Sequence, residues 1–146
     1  PILQDVRIEP AFIVLALVLF ALEYFILGAF MAAIGSMVVD PKQGQNYSAP
    51  ITLMAMLPLF FLVPILFNPN DAIAVLLSLF PLTSPLTLLI RRGMTSIPAW
   101  QVGVAVVLLI IAAFGSIWLA GKIFRIGMLR FDTGVKWSEV AANIKF

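Results

Sequence analysis

Residues 50–93 read PITLMAMLPLFFLVPILFNPNDAIAVLLSLFPLTSPLTLLIRRG, apolar enough for lipid yet carrying Pro50, Pro58, Pro64, Pro69, Pro81 and Pro85. Each proline removes a backbone donor and disfavours a straight helix. Inside a bilayer, broken backbone persists only where protein or a water-filled cavity covers it. A plain membrane anchor has no need of such a stretch. It predicts a part of a polytopic assembly, with interrupted segments that dip into the membrane.

The rest of the composition agrees. Of 146 residues, 62% are hydrophobic and 11% charged, and the mean hydropathy is +1.10. Soluble domains carry about 25% charged residues. The sequence therefore predicts an all-α integral membrane protein. Cysteine and histidine are both absent. That excludes disulfides, thiolate metal sites, and the commonest general base and metal ligand. No catalytic residue, metal or cofactor is expected, and nothing in the pattern points to nucleic acid. The sequence opens at Pro1 with polar residues rather than a charged segment, a short apolar run and a cleavage site. The expectation is a part of a longer protein without a signal peptide.

Along the chain, residues 1–10 form a polar lead-in, with Pro10 placed where a helix can start. Residues 11–38 are apolar apart from Glu23 and Tyr24 and are long enough to span a membrane. Gly28, Ala32 and Ser36 recur every fourth residue there, as do Ala29 and Ala33, a spacing that suits close helix packing. Residues 39–47, VDPKQGQNY, read as a polar loop. Ser48 is a candidate cap for a second span over 48–67, with Pro50 in its first turn and kinks at Pro58 and Pro64. Asn70 or Asp71 could cap the next helix.

Residues 72–80 and 86–90 are two short apolar pieces around the break at Pro81, Thr83, Ser84 and Pro85. Two readings stay open for residues 72–90: a re-entrant helical hairpin, giving three full spans plus a hairpin, or one kinked span, giving four. Residues 99–124 form the last span, with Trp100 and Trp118 near its ends as interface aromatics. A basic tail, 125–146, comes after it, with Trp137, Val140, Ala141 and Ile144 on one face of a possible short surface helix or in a disordered end.

Charge decides between the two topologies. From Lys122 onward lie Lys122, Arg125, Arg130, Lys136 and Lys145 against Asp132 and Glu139. The positive-inside rule makes this cluster cytoplasmic. A re-entrant 72–90 then leaves loop 39–47 cytoplasmic and Arg91-Arg92 external. A fully crossing segment would put the larger cluster outside, so the hairpin is favoured.

Three stretches in this order resemble the C-terminal half of an ABC-2 type transporter permease, particularly its NatB-like sodium-efflux branch: EYFILGAFMAAIGSMVVDPKQGQ (23–45), FNPNDAIAVLLSLFPLTSPLTLLIRRG (67–93) and WQVGVAVVLLIIAAFGSIWLAGKIFRIGMLRF (100–131). The resemblance implies the fourth to sixth helices of such a permease, with 72–90 as an external hairpin. It implies a bacterial or archaeal cytoplasmic membrane, a cytoplasmic C-terminus, and a translocation path shared with a second permease copy and driven by a separate ABC ATPase subunit. No G-x-x-x-x-G-K-[ST] loop occurs, so the chain cannot itself hydrolyse ATP. The alternative is a permease-derived accessory subunit, bound to other membrane subunits and without transport activity. An intramembrane enzyme has no residue cluster to support it.

Within this frame Glu23 is the one acid deep in a span, read either as an ion, substrate or pairing site, or as a carboxylate near one end of a tilted helix. Asp40, Lys42, Gln43 and Gln45 lie where the resemblance puts contact with the ATPase, the plainer reading being a solvated connector. Thr83, Ser84 and Thr87 can satisfy carbonyls freed by Pro81 and Pro85. Arg91 and Arg92 are expected to anchor at the lipid interface or to meet acids of an external region.

Overall fold

The computed structural model describes residues 9–128, together with Ser138 and Ala142. The surface-helix expectation for Trp137, Val140, Ala141 and Ile144 falls on residues outside this range, as does the lead-in before Glu9. The described chain consists of six helices: α1 (Pro10–Met37), α2 (Pro41–Phe60), α3 (Leu62–Phe67), α4 (Ala72–Leu79), α5 (Ser84–Met94) and α6 (Ala99–Met128). Three stretches are long and apolar enough to cross a membrane: Pro10–Met37, Pro41–Phe67 and Ala99–Gly127.

α1 begins at Pro10, whose missing N–H costs nothing in the first turn. Its 28 residues make it about 42 Å long at 1.5 Å per residue. It packs along α6. Leu19 and Ile26 of α1 meet Ala105, Leu109 and Ala113 of α6, and Leu88 of α5 and Ile97 complete this core. Further along, Ala33 and Met37 meet Ile123. At that end Gly127 lies against the Ser36 backbone, so closely that a Cβ there would overlap the Ser36 carbonyl. Of the two small-residue rows, Ala29 and Ala33 are buried, whereas Gly28 and Ala32 face outward. Ser36 is half-buried, its hydroxyl donating to the Ala33 carbonyl at 2.7 Å.

The region 39–47 departs from the expected loop. The chain leaves helix only over residues 38–40, and α2 starts at Pro41. Asp40 adopts an extended backbone, and its carboxylate accepts the Lys42 N–H at 3.4 Å. Pro41 then occupies the first helical turn, where its fixed φ suits the helix. An Asp-Pro pair signals a turn, but it signals a helix start equally well, and the helix start wins here. Ser48 consequently sits inside α2 and donates to the Gln45 carbonyl at 3.3 Å rather than capping. Pro50 falls in the helix interior instead of its first turn.

The second span breaks at Phe61, between α2 and α3. Pro64 accounts for the break: it has no N–H for the Phe60 carbonyl, and its ring crowds that turn. The chain then turns through Asn68-Pro69-Asn70-Asp71 into α4, with Asp71 N–H on the Asn68 carbonyl at 3.1 Å. Asp71 is the N-cap of α4 by position, but its side chain makes no capping bond. α4 and α5 are two short helices joined by a turn around Pro81. α5 extends past the expected end at Ile90 to Met94, which puts Arg91 and Arg92 in its last turn.

Candidate functional site

The turn between α4 and α5 is built from proline and hydroxyl chemistry. In a continuing helix the Leu77 carbonyl would accept from residue 81, but Pro81 has no N–H to give. The Thr83 hydroxyl supplies that bond instead, at 2.6 Å from the Leu77 oxygen and 3.2 Å from the Phe80 oxygen. The Thr83 carbonyl in turn accepts from the Thr87 N–H at 3.1 Å and the Thr87 hydroxyl at 2.8 Å. Thr83 thus closes α4 and opens α5, its hydroxyl filling the carbonyl that Pro81 frees. Ser84 is different. Its side chain is fully buried, and its Oγ has no hydrogen-bond partner among the described residues.

Ser84, Pro85, Thr87, Leu88 and Arg91 form the buried face of α5. Positions 84, 87, 88 and 91 follow the i, i+3, i+4, i+7 spacing of a helix face. Arg91 is therefore carried inward, and its side chain is completely buried. This corrects the expectation of a lipid-interface anchor. Its Nε donates to the Pro69 carbonyl, Nη1 donates to Ser78 Oγ at 2.7 Å, and Nη2 donates to Gln101 Oε1 at 3.1 Å and to Asn70 Oδ1 at 3.4 Å. Ser78 Oγ directs its own proton to the Val75 carbonyl at 2.7 Å. One guanidinium ties the 68–71 turn, α4, α5 and α6 together. Among the described residues its partners are all neutral, so there the cation is held by oriented dipoles and not by a carboxylate. Arginine suits this task because its donors sit in a planar fork that reaches several acceptors at once.

A second feature lies between α1, α2 and α5. A cavity of about 690 Å³ opens there. Phe20, Tyr24, Leu27 and Met31 of α1 form one wall, Ala55, Met56 and Leu59 of α2 the other, and Leu86 of α5 reaches it from the hairpin. Glu23 and Thr52 are the polar members besides the Tyr24 hydroxyl. Thr52 donates to the Ser48 carbonyl at 3.1 Å. Glu23 is half-buried and has no hydrogen-bond or ion-pair partner among the described residues. It is the fourteenth residue of the 28-residue α1, so it sits at the middle of the helix rather than near an end. About 20 Å of helix separates it from either terminus, at 1.5 Å per residue. An acid at the centre of a span costs about 2.5–3.5 kcal/mol on insertion scales.

The other sequence-derived residues fall elsewhere. Asp40, Lys42, Gln43 and Gln45 are all exposed on the first turns of α2, at the end of the span remote from the 68–71 turn. Gly28 and Ala32 face away from α6 and are open to a neighbour or to lipid. No group of three or more acidic residues able to hold a metal occurs among the described residues. Lys122 lies over the Trp118 ring at 4.0 Å from its centroid, one turn back on α6.

Residues 4–122 match the family model described as "ABC-2 family transporter protein". Two curated relatives are similar over most of the chain. Uncharacterized protein MJ1024 of Methanocaldococcus jannaschii is 29% identical over 131 residues, covering 86% of this chain and 32% of the relative. Uncharacterized protein YhaP of Bacillus subtilis is 29% identical over 135 residues, covering 91% of this chain and 32% of the relative. The chain thus spans about a third of the length of these relatives. No solved structure matches it.

Proposed function

Because this chain belongs to the ABC-2 family of transporter proteins, we propose that it forms part of the translocation path of an exporter permease driven by a separate ATPase chain. In this reading it corresponds to the C-terminal half of a NatB-like permease. α1, α2 with α3, and α6 are the crossing helices, and α4 with α5 re-enter from the external side. The C-terminal end of α6 is cytoplasmic, since Lys122 and Arg125 open the basic cluster there. The bend between α1 and α2 then faces the cytoplasm as well. Asp40, Lys42, Gln43 and Gln45 meet the ATPase there, on an exposed helix start instead of on a loop.

The observation that carries the reading is the α4–α5 pair. Two helices of 8 and 11 residues are each too short to cross about 30 Å of hydrocarbon, yet they are locked to the long spans by a buried arginine. A passive anchor gains nothing from such a construction. A permease gains a rigid shoulder at the mouth of its path.

Large apolar side chains on α1, α2 and α6 remain exposed, among them Leu17, Phe25, Leu53, Phe60, Ile111 and Phe114. Lipid and the second permease copy would cover them, since no soluble surface tolerates so continuous a patch. The deciding experiment is purification from the native membrane and mass spectrometry of the partner chains. The expected result is an ABC ATPase at fixed stoichiometry, lost when Lys42 and Gln43 are both changed to Glu. A stable complex with no ATPase in it refutes the exporter reading and supports the accessory-subunit one.

A further inference from the structure

The cavity beside Glu23 points to a ligand class. We infer that it binds an amphiphilic organic monocation, a compact positive centre shielded by apolar or aromatic substituents, and that Glu23 is its counter-ion. The inference rests on the permease reading and narrows its cargo. Four observations carry it.

The volume of about 690 Å³ lies within the range of small-molecule sites, about 300–1,000 Å³. The walls are apolar and polarizable. Phe20 and Tyr24 bring aromatic rings to the lining, and Met31 and Met56 are thioethers that adapt to irregular shapes. The one carboxylate of the lining is Glu23, half a helix away from either end of α1 and without a partner among the described residues. A ligand that brings a positive charge relieves that isolation, and one that brings an apolar body fits what surrounds it.

The fourth observation excludes the simplest competitor. A hard metal cation such as sodium is held by several oxygen ligands. Here one carboxylate is joined only by the Thr52 and Tyr24 hydroxyls, and no acidic cluster exists among the described residues. An organic cation needs no such shell, because its substituents shield the positive centre and leave it weakly hydrated. A neutral lipid tail would fill the volume but make no use of the carboxyl group.

The test uses the membrane protein that carries this sequence, purified with its partner chains and placed in lipid nanodiscs. Tetraphenylphosphonium is the probe. Tetraphenylborate, of nearly the same shape and opposite charge, is its control. Saturable binding of the phosphonium alone is expected, weakened at least about tenfold by Glu23→Gln, since the lost charge–charge attraction in a low-dielectric site is worth that much. Glu23→Asp should retain part of the affinity. Met56→Trp, which fills the cavity from α2 without touching the charge, should weaken binding too.

Equal binding of the borate, or phosphonium binding unchanged in Glu23→Gln, overturns the assignment. So does the absence of saturable binding, the result expected if another permease helix fills the cavity. If ATP-driven export persists while the phosphonium fails to bind, the permease reading stands and the ligand class falls. If the phosphonium binds as described but no ATPase accompanies the protein, the ligand class stands and the exporter reading falls.

Discussion

Replacing Arg91 with Met tests whether one guanidinium holds the hairpin in place. Met keeps much of the apolar stem and removes every donor. Four hydrogen bonds disappear: those to the Pro69 carbonyl, Ser78 Oγ, Asn70 Oδ1 and Gln101 Oε1. The partners do not suffer equally. Asn70 is exposed and Gln101 is half-exposed, so both can turn to water or headgroups. Ser78 is fully buried and the Pro69 carbonyl is fixed in the turn, so these two acceptors are left behind. A buried acceptor without a donor costs about 1–3 kcal/mol, which puts the ceiling for the two at about 6 kcal/mol. Hydrogen bonds between membrane helices average about 0.6 kcal/mol each, because the loosened state finds other partners, which puts the floor at about 2 kcal/mol. Removing the cation also removes its burial cost, and that pulls the value down from the ceiling. The expected loss is therefore about 2–4 kcal/mol of local stability, confined to the hairpin. Amide hydrogen exchange in nanodiscs reads it directly: α4 and α5 should exchange about 30- to 1,000-fold faster, at about 1.4 kcal/mol per tenfold. The middle of the α1–α6 pair should be unchanged. Arg91→Lys should fall between, since one ammonium cannot span all four acceptors. Ser78→Ala should cost much less in the Arg91→Met background than alone. Exchange in α4 and α5 within about threefold of the parent would show that the neutral acceptors contribute nothing net, and that something other than Arg91 pins the hairpin.

Three further substitutions address separate joints of the fold. Thr83→Val removes the hydroxyl that replaces the missing Pro81 donor and should destabilise the turn by about 1–2 kcal/mol, whereas Thr83→Ser should be near neutral; thermal unfolding in detergent separates them. Gly127→Ala places a methyl against the Ser36 carbonyl and should cost about 1–3 kcal/mol, seen as loss of disulfide trapping between cysteines introduced on facing positions of α1 and α6. The sequence contains no cysteine, so such pairs report without background. Pro64→Ala restores the donor for the Phe60 carbonyl and should merge α2 with α3, recovering up to about 3 kcal/mol of helix continuity, with spin labels at Ser48 and Phe67 moving apart.

What the residues disclose in advance depends on how far apart the interacting groups lie in the chain. The break at Pro81 is legible because cause and remedy are local: the proline empties the Leu77 carbonyl, and a hydroxyl two residues later fills it. The all-helical class and the three spans are legible for the same reason, since length and hydropathy are properties of contiguous segments. Arg91 is not legible in this way. Its acceptors lie 10, 13, 21 and 22 residues away, on elements whose placement no local pattern specifies. An Arg-Arg pair after an apolar run is also what an interface anchor looks like. The signal that separates the two is the spacing of Ser84, Thr87, Leu88 and Arg91, a helix face that is small, hydroxylated and then cationic. It becomes visible only when α5 is allowed to continue past Ile90. The helix start at Asp40-Pro41 fails differently, because the same dipeptide opens turns and helices, and only the residues after it decide.

Glu23 stands between these cases. Its rarity as a mid-span acid is plain from the sequence, but its meaning depends on what α2 and α5 bring beside it. Among the described residues the chain places Thr52, Met56 and Leu86 there and no cation. The described residues commit four hydrogen bonds to a buried arginine at the hairpin and none to this carboxylate. A fold that needed only a satisfied interior would have paired these opposite charges. It keeps them apart, the cation fixed in structure and the anion open to a cavity. That asymmetry is what the proposed binding site would use: the rigid charge holds the frame, and the carboxyl group is left for a ligand.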